Sequence, residues 1–279
     1  MEGPKLQFDS AREYWDAAAN TYDVDFTSTL IGKTRRSAVW REVDRVFQRD
    51  ERILELNCGT GIDAVHLASR GIRVVACDIS SRMIEIARQS ATAAKVIERI
   101  DFRVLPTEDI GVLAADGPFD GAFSNFAGLN CVEDLPTVVR NLAMLLKPGA
   151  SAVISMMGRF VPWEIVWFLA HGHPRKAFRR ILENSGTLSW GPLKIQQPSV
   201  RAITSIFAEG FTRRAWKGIG IAVPPSYMED WACRFPNVTE TLARADEWIG
   251  WLPPLRHMAD CVLLEFERKR VQEIDNEPR

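Results

Sequence analysis

The chain has 279 residues, of which 46% are apolar and 25% charged, a balance that suits one large α/β unit with a well-packed core. A formal charge of −1 excludes a protein whose whole surface is a nucleic-acid footprint. The cysteines Cys58, Cys77, Cys131, Cys233 and Cys261 are scattered and form no CxxC pair, so neither a zinc site nor a disulfide framework is expected, and the metal prediction is none.

The opening residues MEGPKLQFDS have no basic segment leading into an apolar one, so no secretory signal is expected. The most apolar stretch, Phe160 to Ala170, is interrupted by Pro162 and Glu164. It is far short of the roughly 20 residues that a membrane span needs. A cytoplasmic protein with reduced thiols and no transmembrane segment is the expectation.

After a helix at Val39–Phe47, the apolar run Ile53–Leu56 reads as a strand that stops at the turn Asn57-Cys58-Gly59-Thr60-Gly61. Val65, Leu67 and Ala68 suit a helix from Ile62 to Arg70, and Gly71 ends it. A second strand at Arg73–Cys77 closes on Asp78, and Ser80 or Ser81 can cap a helix through Met83, Ile84, Ile86 and Ala87. Further strands are predicted at Asp101–Leu105 and Gly121–Asn125, then a helix at Leu135–Leu146, the break Lys147-Pro148-Gly149, and a fifth strand at Ala150–Met156. This alternation implies right-handed βαβ units and a parallel sheet.

The alternation then stops. Gly158 to Pro198, rich in Trp, Pro, Gly and Arg, reads as a helical or loop insert. Strands resume at Phe211–Ile219 and Cys261–Phe266, separated by helical runs at Tyr227–Phe235 and Val238–Ile249. The two late strands predict an antiparallel pair at a sheet edge, and the charged tail after Arg268 is expected to fray. The predicted fold is therefore α/β, Rossmann-like and doubly wound, with a mostly parallel seven-stranded sheet, a C-terminal antiparallel strand and an insert after the fifth strand. One domain is expected, divided into a helical cap (1–50), a core (51–157), an insert or lid (158–203), the rest of the sheet (204–268) and a tail (269–279).

Four features in fixed order carry the chemistry. Glu55 sits on the first strand, and Gly59 and Gly61 in the following turn let the backbone approach a ligand beside the unpaired N–H groups of the next helix. Asp78 ends the second strand, where an acid accepts both hydroxyls of a ribose. Thr107-Glu108-Asp109 follows the third strand, and Asn125-Phe126 ends the fourth. All four fall at the carboxyl ends of parallel strands, where open α/β sheets bind ligands. Gly59 to Ala64 also fits the G-x-G-x-x-A form of a dinucleotide fingerprint. There, however, the first Gly sits directly at the strand end against a pyrophosphate. Here Asn57-Cys58 intervene, and a carboxylate at Glu55 would repel phosphate while suiting an ammonium.

The stretch from Ile53 to Ala87, ILELNCGTGIDAVHLASRGIRVVACDISSRMIEIA, resembles motifs I and II of class I methyltransferases. Asp101–Asp109, Phe119–Asn130 and Leu135–Val153 resemble the motifs that follow, so the likeness covers Asp9 to Met156 well and Phe211 to Arg268 more loosely. The resemblance implies S-adenosylmethionine as cofactor. Glu55, Asn57, Gly59 and Gly61 would hold its methionine end, and Asp78 the ribose, with Ile79 and Met83 along the adenosine. Thr107, Glu108 and Asp109 would lie beside the adenine, and Asn125 near the sulfonium. Asn57 departs from the family's usual Gly, but Asn tolerates positive φ. Ala19-Asn20-Thr21-Tyr22-Asp23 resembles the family's A-x-x-Y-D opening, whose Tyr closes over the cofactor. Arg36 resembles a basic position that pairs the methionine carboxylate in some small-molecule members.

The expected acceptor is a small, apolar or aromatic molecule under a lid containing Trp163, Trp167, Phe168 and Trp190, with Tyr227 alongside and His171 or His173 as candidate base. Trp163 and Trp167, four apart, can share a helix face. Pro224-Pro225-Ser226-Tyr227 is not the Asn-Pro-Pro-Tyr motif of amino-directed nucleic-acid methyltransferases, because that motif belongs at the end of the fourth strand. Arg175-Lys176 and Arg179-Arg180 predict a basic face on the insert, the basis of an alternative reading as an RNA or protein methyltransferase. A cofactor-binding module without catalysis is the other alternative.

Overall fold

A computed structural model of the chain describes residues 5–126, 128–182, 187–190 and 193–270. The predicted tail beyond residue 270 lies outside them, as does the ring of Trp190. Helices α1 (Lys5–Tyr22) and α2 (Leu30–Val46) precede the sheet. The core alternates β1 (Arg52–Leu56), α3 (Ile62–Ser69), β2 (Arg73–Asp78), α4 (Ser81–Ala93), β3 (Ile100–Val104), β4 (Phe119–Ser124), α5 (Leu135–Leu145) and β5 (Leu146–Met157). The insert holds α6 (Pro162–Ala170), α7 (Pro174–Ala177), α8 (Arg179–Leu182) and a hairpin of β6 (Thr187–Trp190) and β7 (Leu193–Gln196). The chain then runs through α9 (Val200–Phe207), β8 (Phe211–Ile219), α10 (Glu229–Arg234), α11 (Pro236–Ile249) and β9 (Cys261–Arg268).

The seven-stranded sheet has the order β3-β2-β1-β4-β5-β9-β8. Strands β1 to β5 pair in parallel, and β9 runs antiparallel to both β5 and β8. The predicted fold class is therefore observed. The chain direction of the crossovers reverses between β1 and β4, which opens a crevice at the carboxyl ends of those strands. Both faces of the sheet are covered, so its central strands read as continuous apolar runs rather than alternating ones. Leu54, Leu56, Ala152 and Ile154 pack on one side with Val139 and Leu142 of α5. Ile53, Val74 and Val153 pack on the other with Val39, Val43 and Leu67 of α2 and α3. Glu55 alternates with Leu54 and Leu56, so it shares the Ile53 side. That places its carboxyl under α2 and α3.

Three expectations need correction. Arg36 lies inside α2 rather than before a helix at Val39: the side chain of Thr29 accepts from Gly32 N–H and caps the helix early, and the buried positions preceding Val39 include two arginines. The insert is not only helix and loop, since β6 and β7 pair antiparallel over residues 187–196. The basic face is also smaller than predicted. Arg179 and Arg180 both pair with Glu164, and Arg180 is buried against Asp260 as well, so of the four only Arg175 and Lys176 are both exposed and outside these ion pairs. Among the described residues, no helix is long and apolar enough to cross a membrane.

Candidate active site

The crevice is a partly open cleft at the carboxyl ends of β1, β2 and β4, the place where open α/β sheets bind ligands. Its floor is the turn after β1. Asn57, Gly59 and Gly61 all have positive φ there, +55°, +53° and +76°. Cys58 N–H donates to Cys77 O at 3.0 Å and ties the turn to β2. At Gly61 a Cβ would stand 2.6 Å from that of Ala87, whereas at Gly59 it would meet nothing within 4 Å. One glycine serves the helix packing of α3 on α4, and the other leaves the cleft open.

Asp78 closes β2 with one carboxylate oxygen accepting from Gly59 N–H and the other from Ser80 N–H, each at 2.9 Å. It is 7% exposed. Burial pushes its pKa up to about 6, against the pull of those two N–H groups. Ser80 itself caps α4 through Met83 N–H at 3.0 Å. Its hydroxyl donates to Asp16 of α1, and Thr60 Oγ1 donates to Asp23 at 2.7 Å. The N-terminal helix is thereby docked on the cofactor-type turn.

Behind the turn lies a buried charged group. Asp63, in the first turn of α3, pairs with Arg36 and accepts from Trp40 Nε1 at 2.6 Å and from Asn125 Nδ2 at 3.1 Å. Burial works against the Arg36 charge, but Asp63, Tyr22 and Glu55 together outweigh it and the pKa is raised. Burial, with Asp63 nearby, also lifts the Glu55 carboxyl well above the carboxylate range, while Arg36 pulls the other way. Glu55 is therefore not simply the fixed negative charge that its position in the sequence suggests. Glu55 Oε2, Arg36 Nε and Asn57 Oδ1 are buried without a hydrogen-bond partner.

Of the residues singled out from sequence, Tyr22, Asn57, Gly59, Asp78, Ile79, Met83, Thr107, Glu108 and Asn125 all line the cleft. Burial raises the Tyr22 hydroxyl to about 12 and raises the Glu108 carboxyl. Arg36, Glu55 and Gly61 stand next to the wall rather than on it, and Asp109 is exposed. The wall also contains Phe126, which the sequence marks only as the end of β4, and residues with no sequence assignment: Trp15 of α1, Gly128 after β4, and Leu193 and Lys194 of β7. Phe126 has φ +45°, a costly conformation for an aromatic residue and one that gathers at ligand sites. Asp63 was missed as well, although an acid two residues after the second glycine was a visible signal.

The expected acceptor group is elsewhere. Trp163 and Trp167 pack with Ile31, Val223 and Met228, and Trp163 Nε1 donates to Ala222 O at 3.0 Å. Trp167 stacks on His171, and the Tyr227 ring lies 5.8 Å away. His171 and His173 are exposed. None of these five side chains is on the cleft wall. His66 pairs with Asp44 and stacks on Trp40, so it is structural.

Residues 53–149 match the family described as the methyltransferase domain. The chain is 30% identical over 147 residues to the tRNA 5-carboxymethoxyuridine methyltransferase of Escherichia coli (strain K12), a match covering 51% of this chain and 55% of that one. It is 31% identical over 118 residues to a ubiquinone biosynthesis O-methyltransferase of Xanthomonas campestris pv. campestris (strain B100), covering 41% and 46%. The match thus spans about half the length of these relatives. Among solved structures, an S-adenosylmethionine-dependent methyltransferase from Mesorhizobium loti superposes with a TM-score of 0.53 at 18% identity, over 83% of this chain and 98% of that one. Sheet order, crevice and matched segment define a class I, Rossmann-like methyltransferase fold. Residues 53–149 are thus similar to methyltransferase domains, and the fold around them is of that class.

Proposed function

We propose that the protein transfers a methyl group from S-adenosylmethionine to a small acceptor with an apolar or aromatic body, by in-line displacement at the methyl carbon. The observation that carries this reading is the set of partnerless buried polar atoms around the β1 turn, Glu55 Oε2, Arg36 Nε and Asn57 Oδ1. Buried polar groups are nearly always paired, and an amino-acid zwitterion brings one cation and one carboxylate to such a place. When bound, the cofactor supplies an electrophilic methyl on a sulfonium whose leaving group is neutral.

In this reading Glu55 meets the ammonium, and Arg36 with Asn57 meets the carboxylate. Asp78 takes the ribose hydroxyls through the oxygens already steered by Gly59 and Ser80. Ile79 and Met83 flank the adenosine, and Thr107 and Glu108 border the adenine. Asn125 and Phe126 form the wall nearest the methyl, with Tyr22 closing from α1. These groups bind and orient, and alignment alone supplies much of the acceleration in transfers of this kind. An apolar acceptor is supported by Trp15, Phe126, Val132 and Leu193 on the same wall, and by the relative named for ubiquinone biosynthesis. Exposed Arg175 and Lys176, with the relative named for tRNA, support RNA as a second reading. The loss of Arg179 and Arg180 to ion pairs weakens it.

Calorimetry with S-adenosylhomocysteine and with NAD tests the cofactor. Only the first should bind tightly, and Asp78→Ala should weaken it by roughly 1–3 kcal/mol, the range for losing a partner from a buried polar group. Unchanged affinity in that variant overturns the ribose assignment. Release of S-adenosylhomocysteine with quinol or phenol acceptors but not with bulk tRNA is the outcome expected for the acceptor.

A further inference from the structure

Helix α6 is built inside out. Its sequence, Pro-Trp-Glu-Ile-Val-Trp-Phe-Leu-Ala, has one polar side chain, Glu164, and that one is 1% exposed. Glu164 is held there by Arg179 and Arg180. Trp163 and Trp167 turn toward the Ile31–Val223–Met228 cluster. Val166 and Leu169, three apart on a flanking face, are 61% and 46% exposed, and Ala170 beside them is exposed too. A helix that is apolar all round is normally enclosed by protein or by lipid, and the described residues do not enclose this one. Phe160, Phe178 and Ile181 of the same insert are exposed as well.

The charges around this face have one sign. Between residues 158 and 182 the chain has Arg159, Arg175, Lys176, Arg179 and Arg180 against the single acid Glu164, in a protein whose formal charge is −1. Glu164 spends its charge on Arg179 and Arg180. Arg175 and Lys176 are exposed, and no ion pair engages them or Arg159 among the described residues. Exposed apolar side chains on α6, followed by the unpaired cations Arg175 and Lys176 on α7, bring together the apolar and basic groups by which surface helices bind a lipid headgroup layer. The insert leaves the sheet at Gly158, directly after β5, on the edge that bears the cleft.

We infer that α6 and the segment after it form a docking surface for an anionic lipid bilayer, with Val166 and Leu169 entering the interface and Arg175 and Lys176 meeting phosphate headgroups. The inference does not depend on the methyl-transfer reading. It is tested by co-sedimentation of the full chain with vesicles of phosphatidylcholine, with and without phosphatidylglycerol. Binding is expected only with the anionic lipid, and it should weaken with salt. Arg175→Gln with Lys176→Gln should lower partitioning roughly 30-fold, from about fivefold per cation near such a surface. Val166→Glu with Leu169→Glu should abolish it while the melting temperature and S-adenosylhomocysteine binding stay those of the parent, since all four positions face solvent away from the cleft.

Absence of vesicle binding overturns the inference, as does binding that survives both double variants. A concentration-dependent dimer that Val166→Glu with Leu169→Glu dissolves, without vesicle binding, assigns the face to a second copy instead. Salt-sensitive binding of bulk RNA that Arg175→Gln with Lys176→Gln removes, again without vesicle binding, assigns it to nucleic acid. Both of those results overturn the lipid assignment.

Discussion

Asp63 and Arg36 form a buried ion pair across 27 residues of sequence, and the pair locks α2 to the first turn of α3 directly behind the β1 turn. Trp40 and Asn125 donate to the same carboxylate, so the end of β4 is held by it too. Removing one partner of such a pair strands a buried charge, whereas replacing both with apolar side chains costs less. Asp63→Ala is expected to lose about 3–5 kcal/mol in urea unfolding. Arg36→Met combined with Asp63→Leu should recover a large part of that loss. A single variant within about 1 kcal/mol of the parent would show the pair to be no stronger than a surface one.

The two glycines of the turn should fail in different ways. Gly59→Ala places a side chain at positive φ, at about 1–2 kcal/mol, but the new methyl meets no protein atom within 4 Å. Its main effect is expected on S-adenosylhomocysteine affinity, because Gly59 is on the cleft wall. Gly61→Ala incurs the same backbone cost and also drives a methyl to 2.6 Å from Ala87 Cβ, which adds about 1–3 kcal/mol of overpacking. Thermal melts and calorimetry on both variants check the split. Equal affinity losses at equal stability would contradict it.

The turn, its glycines and Asp78 were legible because they are local: a strand pattern, a break and an acid at the next strand end all lie within one βαβ unit. Arg36 could be singled out from sequence but not placed in α2, because the helix buries arginines where a periodic reading looks for aliphatics. What makes them tolerable is Asp63, 27 residues away. The hairpin β6–β7 was missed because each strand has four residues in a stretch rich in Trp, Pro and Gly. Leu193 and Lys194 reach the cleft through that hairpin, so the missed element carried missed wall residues with it. The Trp163–Trp167 spacing was read correctly as one helix face, but spacing does not say what the face meets, and it meets a satellite core.

The raised pKa of Asp78 sets opposite pH dependences for binding and for stability. Ribose hydroxyls donate to the carboxylate, so S-adenosylhomocysteine affinity should fall as pH drops through about 6, approaching tenfold per unit below it. In the free protein the folded-state pKa stands above the ordinary value of 3.8, so the folded state holds the proton more tightly than the unfolded chain. Asp78 therefore contributes stability that is fully present below pH 3.8 and lost as pH rises through about 6. Calorimetric titrations from neutral to mildly acidic pH, repeated with Asp78→Asn, check the binding half. Its affinity should be low and nearly flat across the range in which the parent changes.

Glu55 offers the sharpest separation of folding from function. Its carboxyl is buried, lifted well above the carboxylate range first by desolvation and then by Asp63, and one of its oxygens has no partner. An ionised Glu55 is thus a burden on the empty protein. Gln has nearly the same shape and no charge, so Glu55→Gln is expected to keep or raise the melting temperature at mildly alkaline pH. It should weaken S-adenosylhomocysteine roughly 10- to 150-fold, the range for losing a hydrogen bond to a charged group. The parent should also release a proton on binding at any pH where the free Glu55 carboxyl is protonated, as an arriving ammonium favours the carboxylate. That release is measured by the dependence of binding enthalpy on the ionisation enthalpy of the buffer, and its Glu55 share should vanish in the variant. If Glu55→Gln binds as tightly as the parent with the same proton release, then no cation sits on Glu55, and the zwitterion assigned to the β1 turn must lie elsewhere.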